Sequence, residues 1–283
     1  MGTQTTTWQE WVESGEWTRM DDSAVPMLPT LATEVMRLAM DPDVSVVRLA
    51  RVIAKEQVLA VKVLRLANSA FCGSNSEIAT LNEAIVRTGT AAVRNTVLTV
   101  CVSSQLQKAS VYGVEGRGLA EHALGTAVLS WLVAGHAKAD ADEAMVYGLL
   151  HDVGKLFLAS MRKTFVDGGG AAPTDDGYEA VVRERHPRVG EWMLRRWQLP
   201  EMLRQVVLYH HAPEECADYP VQARVVYVAN LLSHRYGFGC PAKKDDELLE
   251  DPVCKEFGIT AAWLADADKR APGLFDTARH IVA

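Results

Sequence analysis

His151 and Asp152 stand side by side in Gly148-Leu149-Leu150-His151-Asp152-Val153-Gly154-Lys155-Leu156, at the end of an apolar, helix-like run. Neighbouring residues on a helix point about 100° apart. The pair can therefore approach one ion from adjacent directions, or two ions from one side. Lys155 lies four residues after His151, on the same helical face. His122, His186, His210 and His211 fall in the same region, each on or beside an expected helix with an apolar face. Neutral imidazoles with one carboxylate suit iron, manganese, zinc or nickel rather than calcium. With Asp152 bridging two ions, such a site could activate water against a phosphodiester, and Lys155 could stabilise charge on phosphate. The competing reading is a set of core histidines hydrogen-bonded to one another and to backbone. Spacing alone leaves both open.

The bulk composition sets the frame for these residues. At 283 residues the chain can bury one large core or two smaller ones, and 48% hydrophobic with 23% charged residues is ordinary for a water-soluble protein. A net charge of −7 without any dense Lys/Arg tract argues against a nucleic-acid surface. The most apolar stretch, around Ala127 to Ala134, is too short to span a bilayer, and no signal-peptide pattern opens the sequence. Five scattered cysteines without a Cys-x-x-Cys pair support neither a disulfide framework nor a zinc ribbon. The expected location is a reducing cytoplasm, with no membrane and no nucleic acid as partner.

The elements that must position the cluster read as helices throughout. Leu31, Val35 and Leu38 form one stripe, Val46, Leu49, Val52 and Ile53 a second, and Leu59, Val63 and Leu66 a third. Ser45 can cap the second of these helices. Thr80-Leu81-Asn82-Glu83 is a capping box, Gly89 is placed to end the helix it starts, and Thr90 can cap the next. The polar turn Asn68-Ser69-Ala70-Phe71 is expected to satisfy free helix carbonyls. Residues 108 to 117 read as a linker or bend. Beyond it, Asp142 can cap the helix leading to His151. The Gly168-Gly169-Gly170 segment is a loop, and Pro187 suits a first helical turn, which would put His186 at a helix start. Leu203, Val206, Val207 and His210 share a stripe, so His210 should point inward. Trp8, Trp11 and Trp17 suggest a short N-terminal helix docked on the body. Lys243 to Asp251 is a charged, solvated run, and Ile259 to Leu274 a short helical cap. No period-two alternation is long enough to need a sheet, so the expected class is all-α.

Motifs in a fixed order carry a family likeness. Leu28-Pro29-Thr30-Leu31, Asp41-Pro42-Asp43, Val63-Leu64-Arg65-Leu66-Ala67-Asn68-Ser69-Ala70-Phe71, Glu83-Ala84-Ile85 and Gly89 are followed by His151-Asp152-Val153-Gly154-Lys155. Gly190 with Trp197, Leu199-Pro200 and His210-His211-Ala212-Pro213 complete the series. Over roughly residues 25 to 235 this order strongly resembles the HDOD domain, the HD-related output domain of bacterial signalling proteins. The resemblance implies an all-helical, two-lobed bundle with an HD-like second lobe and a regulatory, non-catalytic role. The sequence is also similar to the HD-GYP phosphodiesterases, which cleave cyclic di-GMP at a multi-metal centre. In that pattern His122, His151, Asp152, His186, His210 and His211 match metal ligands, and Lys155 matches the lysine after the HD pair. Two departures bear on chemistry. Asn230 stands where an aspartate is expected, and the GYP segment is reduced to Asp218-Tyr219-Pro220. An amide is a poorer ligand and adds no negative charge to hold divalent ions.

These readings divide the chain into an N-terminal extension (1–24), a first helical lobe (25–110), an HD-like lobe (111–238) and a C-terminal cap (239–283). The expected function is a bacterial signal-transduction module working through a signalling protein partner or a small, possible nucleotide ligand between the lobes. The alternative is a divergent metal-dependent phosphohydrolase with Asp152 and Lys155 as catalytic residues. A third reading is a metal-binding sensor without turnover. Iron, manganese or zinc are the expected ions.

Overall fold

A computed structural model describes residues 6–20, 27–39, 41, 43–69, 77–106, 109–240, 242 and 248–282. A short helix, α1 (Trp8–Ser14), precedes the first lobe. That lobe comprises α2 (Thr30–Ala39), α3 (Val46–Ile53), α4 (Gln57–Ala67) and α5 (Leu81–Leu106). The second lobe comprises α6 (Ala109–Ala137), α7 (Ala141–Leu150), α8 (Val153–Asp167), α9 (Asp175–Arg196), α10 (Glu201–Tyr209) and α11 (Pro220–Tyr236). The short α12 (Pro252–Glu256) and the long α13 (Ala261–Val282) close the chain. Among the described residues there is no strand, and the all-α expectation holds. No helix among them is long and apolar enough to cross a membrane.

The two lobes share one apolar core. Leu38, Leu49, Ile53, Ile85 and Leu98 of the first lobe are continuous with Leu150, Leu156, Phe157 and Met193 of the second. Each such side chain contributes roughly 1.5–3 kcal/mol by leaving water. A second core joins α6 and α11 to α13, where Phe238 stacks on Phe275 at 4.2 Å between ring centroids. The N-terminal tryptophans dock as expected. Trp8 packs edge-on against Phe165 and Trp17 against Trp192, and the Trp17 indole donates to the Val12 carbonyl at 2.8 Å.

Local signals held where a single side chain decides a helix end. The Glu83 amide donates to Thr80 Oγ1 at 3.3 Å, and Gly89 breaks α5 with φ +82°, a conformation that favours glycine. Ser45 occupies the N-cap position of α3 without a side-chain hydrogen bond. Asn68 donates to the carbonyls of Leu64 and Ile78 and accepts from the Ile78 amide, so it ends α4 and ties it to the approach to α5. Ala70, Phe71 and residues 243–247 lie outside the described residues.

Four expectations change. Residues 109–117 form the first turns of α6 rather than a linker. Asp140, not Asp142, caps α7, accepting from the Glu143 amide at 2.9 Å. Pro187 sits inside α9, so His186 is a mid-helix residue. Buried Val181 before it and Val189 and Met193 after it hold the helix to the core through the missing amide. The C-terminal cap is longer than expected: α13 runs to Val282.

Glycines let the site-bearing helices meet backbone to backbone. A Cβ at Gly154 would lie 2.0 Å from the His186 carbonyl oxygen and 2.7 Å from the Gly190 amide nitrogen. A Cβ at Gly148 would lie 2.4 Å from Ser130 Oγ and 2.6 Å from the Thr126 carbonyl. At Gly154 both obstacles are backbone atoms, and at Gly148 the Thr126 carbonyl is. Gly154→Ala should therefore force α8 from α9 and lower stability by about 3 kcal/mol, the upper range for overpacking. Gly135→Ala, with nothing within 4 Å of the new Cβ, should be neutral or slightly stabilising. Urea unfolding of both variants checks this. Equal midpoints would show that the helices do not depend on the glycine contact.

Candidate metal centre

Asp152 sits in the two-residue break between α7 and α8, and four helices bring histidines to it. His151 Nε2 lies 3.3 Å and His122 Nε2, from α6, 3.5 Å from Asp152 Oδ2. His186 Nε2, from α9, lies 3.1 Å and His210 Nε2, at the end of α10, 3.7 Å from Oδ1. His211 reaches His186, Nε2 to Nε2, at 3.2 Å. Lys155 donates to Asp152 Oδ2 at 2.6 Å, so it turns to the aspartate rather than pairing with His151. All six residues singled out as ligands, and the lysine, come together. His122, His151, Asp152, His186 and His210 are buried, and His211 is the exposed member.

The other ring nitrogen of each buried histidine fixes its tautomer. His151 Nδ1 donates to the Gly148 carbonyl at 2.7 Å, His186 Nδ1 to Val182 at 2.8 Å and His210 Nδ1 to Val207 at 2.7 Å. His122 Nδ1 faces the Phe238 carbonyl at 3.3 Å and Ser233 Oγ at 3.2 Å. With Nδ1 carrying the proton, every buried Nε2 turns a lone pair toward Asp152. His186 Nε2 and His210 Nε2 then face each other at 3.2 Å with no proton between them. His122 Nε2, His151 Nε2 and Asp152 Oδ1 have no hydrogen-bond partner. Buried acceptors converging on one another repel unless a cation lies among them. Backbone bonds on the outer nitrogen with the inner one free are the usual support of a metal-ligating histidine.

Two groups of donors meet the spacing for an ion: His122, His151 and Asp152, and Asp152, His186, His210 and His211. Asp152 belongs to both, with Oδ2 toward the first group and Oδ1 toward the second. The donor set therefore fits one ion, or two sharing the carboxylate.

Burial governs the charges. It pushes His122 down to about 3, with Asp152 acting against the shift. Burial, then His186, pushes His211 down to about 4. Burial and the neighbouring His151, His211 and His186 hold His210 well below the usual imidazole range. Burial alone would raise Asp152, but the neighbouring His151 and the Lys155 ammonium outweigh it and keep the carboxyl well below the usual range. At neutral pH His122, His210 and His211 are thus neutral and Asp152 ionised, the forms that bind metals.

A cleft of about 920 Å³ lies beside the cluster, lined among others by His122, Lys155, His186, His211, His234 and Cys240. His234 and Cys240 were not anticipated. Cys240 Sγ lies 3.2 Å from His234 Nδ1, and the His234 ring lies 4.9 Å from that of His122. Asn230 is buried on α11, and its Oδ1 has no hydrogen-bond partner. The backbone acceptors Gly148, Val182 and Val207 also went unseen in the sequence. They lie three or four residues before their histidines, so helical placement of each histidine was the one available signal.

Comparison with known proteins places the fold. An uncharacterized protein of Treponema pallidum is 28% identical over 212 residues, covering 70% of this chain and 40% of that protein. The chain thus spans less than half the length of that curated relative. A crystal structure of an HDOD domain protein of unknown function from Geobacter sulfurreducens superposes with a TM-score of 0.73 at 22% identity, covering 96% of each chain. A protein from Shewanella amazonensis, provisionally named a metal-dependent phosphohydrolase, superposes with a TM-score of 0.73 at 17% identity, covering 97% of this chain and 99% of that one. At these identities the structures establish the shared fold. The model of the HDOD domain matches residues 25–213, and on that match this chain belongs to the HDOD family.

Proposed function

We propose that the chain is a bacterial signalling module whose HD-like lobe holds a divalent metal, and that its regulatory work is done through a protein or small-ligand partner rather than by turnover. The observation that supports metal binding is the convergence of four buried Nε2 atoms on Asp152, each histidine having its Nδ1 engaged elsewhere. His122, His151, Asp152, His186, His210 and His211 would hold the ion or ions. Iron, manganese and zinc suit this donor set. Support for a signalling context comes from family membership and from a superposable Marinobacter aquaeolei protein provisionally named for signal transduction, with a TM-score of 0.67 at 18% identity, covering 93% of this chain and 61% of that one.

A second reading, phosphodiester hydrolysis, has its own support: Asp152 belongs to both donor groups, and Lys155 lines the cleft beside them. A bound divalent ion would acidify a coordinated water and polarise a phosphoryl oxygen. Lys155 would place its ammonium against a phosphate oxygen entering the cleft. Asn230 in place of an acid weighs against this reading, since one carboxylate is left to offset the charge of two ions.

Elemental analysis of anaerobically purified protein tests the proposal. Near-stoichiometric iron, manganese or zinc is expected, reduced at least tenfold in Asp152→Ala with helical content unchanged. A site that stays empty after reconstitution would remove the metal from the function. Hydrolysis of bis(p-nitrophenyl) phosphate by the loaded protein, lost in Lys155→Ala, would favour the phosphohydrolase.

A pH dependence follows from the buried histidines. His122, His210 and His211 are depressed in the fold, so between the unfolded value near 6.5 and the folded values the unfolded chain takes up protons that the native one does not. Their contribution to stability is full above about 6.5 and is lost as pH falls. Each adds a slope of up to about 1.4 kcal/mol per pH unit. Urea midpoints of metal-free protein should therefore drop between pH 6.5 and 5, with a slope reduced by about a third in His122→Gln. Equal slopes in the two proteins would mean that His122 is not held neutral.

A further inference from the structure

A second cavity, of about 220 Å³, lies where the two lobes and the C-terminal helix meet, and none of its lining residues belongs to the His–Asp cluster. Its apolar walls come from Leu66 on α4, Leu124, Val128 and Trp131 on α6, Met145 on α7 and Leu274 on α13. An engineered apolar cavity of about 150 Å³ binds benzene, so this one has room for a molecule of roughly ten non-hydrogen atoms.

The polar side of the cavity decides what that molecule must carry. Thr88, Asn95, Thr96, Thr99 and Asp142 line it. The threonine hydroxyl protons and one Asn95 amide proton are already used. Thr88 Oγ1 donates to Ala84, Thr96 Oγ1 to Ala92 and Thr99 Oγ1 to Asn95, at 2.9, 2.9 and 2.7 Å. The Asn95 amide donates to the Asp142 carbonyl at 2.7 Å. What these groups still offer is mostly acceptors, the hydroxyl lone pairs and the Asp142 carboxylate, beside one remaining Asn95 N–H. Arg94, whose Nε donates to Asn95 Oδ1 at 3.2 Å, already places positive charge near Asp142. A guest therefore gains most from a donor without net charge, and an anion would face the Asp142 carboxylate and a predominance of acceptors.

We propose that this interlobe cavity binds a compact, uncharged aromatic molecule bearing an N–H or O–H donor. Such a ligand would touch both lobes at once. It would also contact the first turns of α7, the helix that ends at His151, so occupancy is placed to bias the geometry of the cluster. This goes beyond the metal reading and does not rest on it.

Calorimetric titration of the full chain with indole, and separately with phenylacetate, tests the proposal. Indole should bind one to one with a Kd on the order of 0.1–1 mM, as a good fragment of this size does. Phenylacetate should bind at least tenfold more weakly. Ala92→Met and Ala278→Met, each filling the cavity from a different helix, should lose indole binding by tenfold or more. If one variant fails to fold, the other decides. The proposal is overturned if indole does not bind up to its solubility limit, if phenylacetate binds within tenfold of it, or if the folded variants bind indole like the parent protein. Loss of metal in Asp152→Ala leaves these outcomes unaffected, so the two readings fail separately.

Discussion

One ionised carboxylate buried among imidazole lone pairs sets the terms for the second lobe. Asp152 is 6% exposed and is approached by four Nε2 atoms and the Lys155 ammonium. An isolated carboxylate in that position would cost several kcal/mol of desolvation. Lys155 offsets part of it from one side. The histidines cannot do so while neutral, because their inner nitrogens carry no proton. The arrangement is thus under-compensated as a structural ion pair and well matched to a cation. That mismatch separates it from an ordinary core histidine cluster, in which imidazoles donate to one another in a chain.

The helices are built to hold this arrangement. Gly154 lets α8 press on α9 at the carbonyl of His186, two residues from the aspartate and at the histidine that approaches it most closely. Gly148 does the same between α7 and α6, and its own carbonyl fixes the His151 ring. Gly239, at φ +69°, lies against Gly118 and His122, and the preceding Phe238 carbonyl faces the His122 ring. At each point a missing side chain lets a backbone atom come close enough to orient a ligand.

Much of this was legible in the sequence, for identifiable reasons. Stripes such as Leu49, Val52 and Ile53 report burial directly, because a 3.6-residue period has few competing explanations. The cluster was legible through residue type: histidines on apolar faces are uncommon enough to count. Helix ends were harder. Asp140 and Asp142 are both acceptable caps, and only the geometry of the preceding turn chooses between them. Pro187 misled because a proline's local preference for a first turn is smaller than the packing of Val181, Val189 and Met193 on either side. The run from 109 to 117, with two glycines, read as a break for the same reason: intrinsic preference is a weak prior against a long packed helix. His234 and Cys240 could not be found by spacing, since their place beside the cluster depends on how α11 leaves the lobe.

Charge balance connects the centre to its cleft. A single divalent ion with Asp152 leaves one net positive charge in a buried site, and two ions leave three, before Lys155 is added. Coulomb repulsion of that size is not tolerated at low local dielectric without a counter-anion. An aspartate in place of Asn230 would build part of the balance into the protein; the asparagine does not. The more metal the site holds, the more strongly it must draw an anionic group from the cleft beside it. Weak metal retention without an anion and tight retention with one are two faces of the same deficit. In the proposed regulatory role that coupling would serve without breaking a bond, because the anion would report its presence through the order of five histidines on four helices.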